Sequence, residues 1–308
     1  MAGVSEVEFC LVAKLAPVDQ LLYSTTRIDC LTSNGRSTGT GFHFEFRDPN
    51  GGRVPVIVTN RHVVDGALES TFTIHDASPP DQVRNPRPTT FSVFTIENVQ
   101  RTVFGHPDGN VDLCIIPIAG PLTTLQRDGA RIRRKALSFE HLPSPADIEM
   151  FTALEPIVMV GYPNGLWDEV NGMPIFRRGN TATHPALNYC GKNEFLIDAA
   201  CFPGSSGSPV FLLDPGADGK PHFRFRLLGI LYSGPVSMVT GEIVLAQPSI
   251  PSPRAVTPSM LHLGFAIKSE RLREFEPVIA ELFKAQKPES PAGIPPSAPV
   301  GGAPPPCR

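Results

Sequence analysis

Three segments carry residue types suited to nucleophilic acyl transfer. Val58-Thr59-Asn60-Arg61-His62-Val63-Val64 is a β-branched run that ends on an imidazole. Asn110-Val111-Asp112-Leu113-Cys114-Ile115-Ile116 places a carboxylate just ahead of an apolar run. Phe202-Pro203-Gly204-Ser205-Ser206-Gly207-Ser208-Pro209 sets a serine among glycines. A serine hydroxyl attacks poorly until a base takes its proton. Neutral imidazole is the natural base at neutral pH. A carboxylate holds that imidazole in one tautomer and stabilises its charged form. Charge that develops on a carbonyl oxygen needs fixed donors, and glycines permit a turn whose N–H groups converge. Ser206 is the serine with Gly both two before and one after it, so it is preferred to Ser205 and Ser208 as nucleophile. Asp108 lies in the turn signal Pro107-Asp108-Gly109, so Asp112 is preferred as the acid.

These residues need strands to hold them. Gly39–Phe46 alternates apolar and polar residues, and Val54–Thr59 is β-branched. Val111–Ile118, Pro156–Val160, Phe195–Ala199, Pro209–Leu213 and Phe223–Tyr232 read the same way. Turn signals bound them at Pro49-Asn50-Gly51-Gly52, Asp108-Gly109, Pro163-Asn164-Gly165 and Asp218-Gly219. Proline makes up 34 of 308 residues, which argues against long helices and central strands of great length. The expected fold is therefore all-β. A helix is expected near the end, where Leu272, Phe275, Ile279, Leu282 and Phe283 recur at spacings of three and four. Ser269 is its expected N-cap and Pro277 its expected kink.

Composition limits the partners. The formal net charge is −3, which offers no electrostatic case for nucleic acid or an anionic membrane. The basic cluster Arg131, Arg133, Arg134 and Lys135 reads as a solvated linker face. The first twenty residues lack the basic start and apolar run of a secretory signal, and no stretch is apolar enough to span a membrane. A cytoplasmic location is expected on that basis. The cysteines Cys10, Cys30, Cys114, Cys190, Cys201 and Cys307 show no C-x-x-C spacing, so free thiols are expected. No H-x-x-x-H pattern occurs, so neither a metal site nor a cofactor is expected. Residues 287–308 hold eight prolines and little to bury, and read as a disordered or polyproline II tail. A protein partner that binds proline-rich chain is the functional alternative for that tail.

Taken together, the segments resemble the trypsin-like serine proteases of the chymotrypsin clan. The order His62, Asp112, Ser206 is the chymotrypsin order. The closer likeness is to bacterial HtrA-type peptidase domains. Asp198-Ala199-Ala200 leading into Pro203-Gly204-Ser205-Ser206-Gly207-Ser208-Pro209 resembles their nucleophile signature. Gly161-Tyr162-Pro163-Asn164-Gly165, the Arg178-Gly179 strand and Leu263-Gly264-Phe265-Ala266-Ile267 resemble other strands and turns of that group. Members of that group usually carry a PDZ domain; here the matching part runs straight into the proline-rich tail, so peptide sensing by such a domain is not expected.

The resemblance implies two packed antiparallel six-stranded β-barrels. The first would occupy residues 1–122 and carry His and Asp. A linker at 123–150 would precede the second barrel at 151–268, which carries Ser and the specificity pocket. A helix at 269–286 and the tail at 287–308 would complete the chain. The implied activity is serine endopeptidase chemistry on a polypeptide substrate through an acyl-enzyme. Ser206 would be the nucleophile, His62 the general base and acid, and Asp112 the orienting acid. Gly204 and Ser206 N–H groups would form the oxyanion hole. Ala200, six residues before the nucleophile, and Cys201 would line the primary pocket. Tyr232, Ser233 and Gly234 would pair with extended substrate. Ala200 implies a small or medium apolar residue before the scissile bond (P1). The loop 235–260 lies where HtrA relatives hold activation loops. The reading kept against an active enzyme is a silent or latent peptide-binding scaffold.

Overall fold

Alternate residues of single strands serve two different cores. In β3 (Arg53–Thr59), Val54, Val56 and Val58 enter one apolar cluster while Ile57 enters another. In β9 (Pro156–Gly161), Val158 and Val160 join the first cluster while Ile157 and Met159 enter a third. Strands buried on both faces read as continuous β-branched runs, and that is why these two are plain in the sequence. The shared cluster is the seam between two β units, and the other two clusters are their interiors.

The computed structural model describes residues 15–76, 90–214, 224–242 and 254–285. The proline-rich tail, Cys10, Cys307 and the Asp218-Gly219 turn lie outside these residues, as does part of the 235–260 loop. The described part of that loop holds an antiparallel pair, β14 (Val236–Glu242) and β15 (Arg254–Met260). Cys30, Cys114, Cys190 and Cys201 are free thiols.

The C-terminal unit is a closed barrel of six strands in the order β10-β11-β16-β13-β12-β9. Its remaining strands are β10 (Ile175–Thr181), β11 (Glu194–Asp198), β12 (Pro209–Asp214), β13 (Arg224–Ser233) and β16 (Leu263–Lys268). The N-terminal unit differs from the six strands expected: it is an antiparallel sheet of eight. Beside β3 it contains β1 (Thr25–Thr32), β2 (Gly35–Arg47), β4 (Ala67–Asp76), β5 (Phe91–Glu97), β6 (Phe104–Gly105) and β7 (Cys114–Pro117). The eighth, β8 (Ile132–Arg133), pairs with β4 and comes from the stretch read as a linker. Leu137 also bridges to Phe44. Part of 123–150 is thus sewn into the first sheet by backbone hydrogen bonds.

The C-terminal helix also departs from expectation. Ser269 makes no side-chain cap; it is buried inside a 3-10 turn, Ser269–Phe275, that Lys268 precedes. The α-helix proper is Glu276–Ala285. Pro277 does not kink it, because a proline in the first turn lacks an N–H that would have no helical acceptor anyway. Leu272, Phe275 and Ile279 enter the shared seam, where Phe275 meets the Phe46 ring at 6.3 Å.

Candidate functional site

His62 lies in a one-turn helix, Arg61–Val64, that β3 feeds directly. Asn60 ends the strand in extended conformation, fully buried, and its Nδ2 donates to the Asp112 carbonyl oxygen at 2.8 Å. That bond ties the His62 and Asp112 segments together through a residue the sequence reading passed over. His62 Nδ1 meets Asp112 Oδ2, and the His62 backbone N–H donates to Asp112 Oδ1 at 3.1 Å. Burial works against ionised Asp112, yet the His62 bonds and the nearby Arg61 charge outweigh it and hold the carboxyl below its ordinary range. Asp108 faces elsewhere, with Arg271 Nη2 at 3.0 Å.

Ser206 comes from the loop between β11 and β12. Its Oγ donates to the Tyr232 carbonyl oxygen at 3.3 Å. Among the described residues it makes no hydrogen bond to His62. The loop is clasped from the other unit by Thr40 of β2. Thr40 N–H donates to the Ser206 carbonyl at 2.9 Å, and its Oγ1 donates to the Gly204 carbonyl at 3.0 Å. The same Oγ1 accepts from Tyr162 N–H at 3.1 Å. Gly207, at φ +86°, is obligatory here because a Cβ would overlap the Thr40 carbonyl oxygen.

The peptide orientations around Ser206 decide where its donors point. The Pro203 carbonyl accepts from Asn164 N–H at 2.6 Å, and the Ser205 carbonyl from Ser208 N–H at 3.0 Å. In a trans peptide the N–H lies opposite the C=O. Gly204 N–H and Ser206 N–H therefore face away from those acceptors. Among the described residues neither donates to another group.

The strand expected to meet substrate bulges between Leu231 and Ser233. Tyr232 turns its ring toward Phe265 and donates its hydroxyl to Glu194 Oε2 at 3.0 Å, so what it offers the site is its carbonyl. Burial and the adjacent Glu194 push that phenol up. Ser233 is exposed. Cys201 is buried beside Gly234 and Gly264; a Cβ at Gly264 would sit 2.6 Å from its Sγ. Burial raises the Cys201 thiol to about 11. Ala200 offers its carbonyl oxygen to Arg177 Nη1 at 2.5 Å, and the same nitrogen reaches Ser205 Oγ at 2.8 Å. Burial lowers the Arg177 guanidinium to about 10, still charged at neutral pH. Asn60, Thr40 and Arg177 escaped sequence reading because each acts through a partner more than twenty residues away.

Among the described residues no helix is long and apolar enough to cross a membrane. A family model described as trypsin-like peptidase domain matches residues 39–216. No curated relative matches the sequence. Among solved structures, the HtrA-type protease AlgW with tripeptide aligns at TM-score 0.48 and 15% identity, over 89% of this chain and 64% of its own. The chain thus spans somewhat under two thirds of that protein. The serine endoprotease from Yersinia pestis aligns at TM-score 0.45 and 13% identity, over 91% of this chain and 68% of its own. A protease from M. tuberculosis in its active form aligns at TM-score 0.43 and 16% identity, over 88% and 86%.

Proposed function

Because this chain belongs to the trypsin-like peptidase family, we propose that it is a serine endopeptidase acting on polypeptides through an acyl-enzyme. The observation that carries the reading is the pairing of His62 with Asp112, together with a serine whose neighbouring N–H groups are unengaged among the described residues. In this reading Ser206 Oγ attacks the scissile carbonyl carbon and passes its proton to His62. Asp112 holds the imidazole with Nδ1 protonated and steadies the imidazolium. Gly204 and Ser206 N–H receive the oxyanion as the tetrahedral intermediate forms. His62 then protonates the leaving amine, and water repeats the sequence to release the acid. An arriving substrate N–H would take the Tyr232 carbonyl, as strand addition at Tyr232–Gly234 requires. That exchange frees the Ser206 hydroxyl to turn toward His62.

The bond from Ser206 Oγ to Tyr232 also supports a second reading, a latent or silent peptide-binding module. A fluorophosphonate probe separates the two. An active enzyme labels at Ser206, and His62→Ala and Ser206→Ala each abolish labelling. Turnover should fall by roughly 10⁴-fold or more in either variant. No labelling of the unmodified chain, with or without a peptide present, would sink the enzyme reading. Ala200 taken alone favours a small or medium apolar P1 residue; Arg177 changes the chemistry of that floor.

A further inference from the structure

Arg177 occupies a place that strand register assigns. It pairs with Met159 of β9, which pairs in turn with Val210 of β12. Paired residues of antiparallel neighbours share a face. Met159 and Val210 are fully buried inside the barrel, so Arg177 points into the same interior. There it lies under the nucleophile loop, against Ala200, the residue six before Ser206, and Ser205, the residue one before it.

One guanidinium nitrogen, Nη1, is engaged. The other two, Nε and Nη2, are buried, and among the described residues neither has an acceptor. Those two N–H groups form the side-on fork that matches a carboxylate with two parallel bonds. No described carboxylate pairs with Arg177; its one electrostatic neighbour is the Cys201 thiol. A buried charge is costly unless it is paired, so two unpartnered N–H groups on a charged guanidinium favour an anionic partner. Ala200 has almost no side chain to block an approach to the fork, whereas the space beside Gly234 and Gly264 is already filled by Leu263, Cys201 and Leu231. Glu and Asp are the side chains that carry a carboxylate.

Resting on the peptidase reading above, we propose that Arg177 makes the primary pocket a carboxylate site, so that the chain cleaves after Glu or Asp. The bidentate fork would receive the P1 carboxylate, while Nη1 keeps its bonds to Ala200 and Ser205. The apolar preference expected from Ala200 gives way to an acidic one, because Ala200 leaves the floor open to the arginine beneath it.

The test profiles cleavage of a mixed peptide library by the whole chain, with fluorophosphonate labelling of the same samples. Cleavage after Glu or Asp should exceed cleavage after Leu, Val or Ala by about tenfold or more. Arg177→Met should erase that preference, and Arg177→Lys should keep a weaker form of it, since Lys is a cation without the fork. Labelling at Ser206 with cleavage mainly after apolar residues would overturn the pocket assignment and leave the peptidase reading standing. An acidic preference unchanged in Arg177→Met would overturn the role of Arg177. If nothing labels, the peptidase reading fails by itself, and the pocket is read by binding to Ser206→Ala protein. A Glu-containing peptide should then bind more tightly than its Gln counterpart by fluorescence polarisation, and equal binding overturns the proposal. The Glu-against-Gln comparison needs no Arg177 variant, so poor folding of Arg177→Met does not shield the assignment.

Discussion

The two β units differ in how their buried basic groups are partnered. The N-terminal sheet encloses two imidazoles, His43 and His75. Burial, with the Arg134 charge behind it, pushes His43 well below its ordinary value. Burial lowers His75 to about 4, although its bond to the Gly172 carbonyl pulls the other way. The same unit also buries the guanidiniums of Arg133 and Arg134, contrary to the solvated linker face expected for them, and Arg134 is paired with Glu45 at 2.9 Å. The C-terminal barrel holds the half-buried guanidinium of Arg177 with no described carboxylate beside it. Imidazole meets burial by giving up its proton, whereas guanidinium keeps its charge and must find a partner. Acid should therefore act on the first unit and anions on the second. On this expectation the unit that supplies His62 and Asp112 is the acid-sensitive one, and the unit that supplies Ser206 carries the charge proposed to meet substrate.

The strongest way to break this division is to part the units where they clasp. Gly207→Ala sets a Cβ against the Thr40 carbonyl and forces a residue with a side chain to φ +86°. It should cost about 3 kcal/mol or more, read as a lowered urea midpoint or as loss of folded protein.

Acid sharpens the comparison next. As pH falls through ~6.5 the unfolded chain protonates its histidines before the folded chain protonates His75. Stability is thus fullest above ~6.5 and declines as pH falls; the part owed to His75 levels off once His75 itself protonates near 4, while His43 continues the decline. The decline attributable to His75 is about 3 kcal/mol. Urea midpoints measured between neutrality and mild acid should show it, and His75→Phe should flatten the slope. Hydrogen exchange followed by segment should show β4 and β1 opening before β9 and β12. Equal opening of both units would dissolve the contrast.

Thr40→Val is a smaller perturbation of the same junction. It leaves the Gly204 carbonyl and the Tyr162 N–H without their bonds to Oγ1, for about 2 kcal/mol. Turnover should fall more than substrate affinity, because the Gly204 peptide supplies an oxyanion donor in the proposed mechanism. The smallest effect is expected at the rim. Arg226→Ala removes a half-exposed pair with Asp147 and should change stability by less than ~1 kcal/mol.

The fold was legible where burial is two-sided. β3 and β12 are continuous apolar runs, and their bounds came close to the observed ones. β1, which reads TTRIDCLT, and β4, which reads ALESTFTIHD, were not singled out, since their polar residues weaken any pattern. Their pairing comes from neighbours far along the chain, and a local window cannot contain it. The eighth strand of the first sheet is two residues long and lies in a stretch of weak β character, so nothing local announces it. Ser269 failed as a cap because the α-helix begins only at Glu276, after a 3-10 turn that already buries Ser269.

The sequence by itself determined the chemistry on offer: an imidazole at the end of a hydrophobic strand, an acid ahead of an apolar run, and a serine in a glycine turn. Residue type and order carry that much, because reactivity belongs to the side chain. Only the tertiary structure decided which acid meets His62, that Ser206 rests on the Tyr232 carbonyl, and that Arg177 lies beneath Ala200. Those facts depend on strand register, where a shift of one residue turns every side chain to the opposite face. A sequence states which groups a chain carries; register decides which of them face one another.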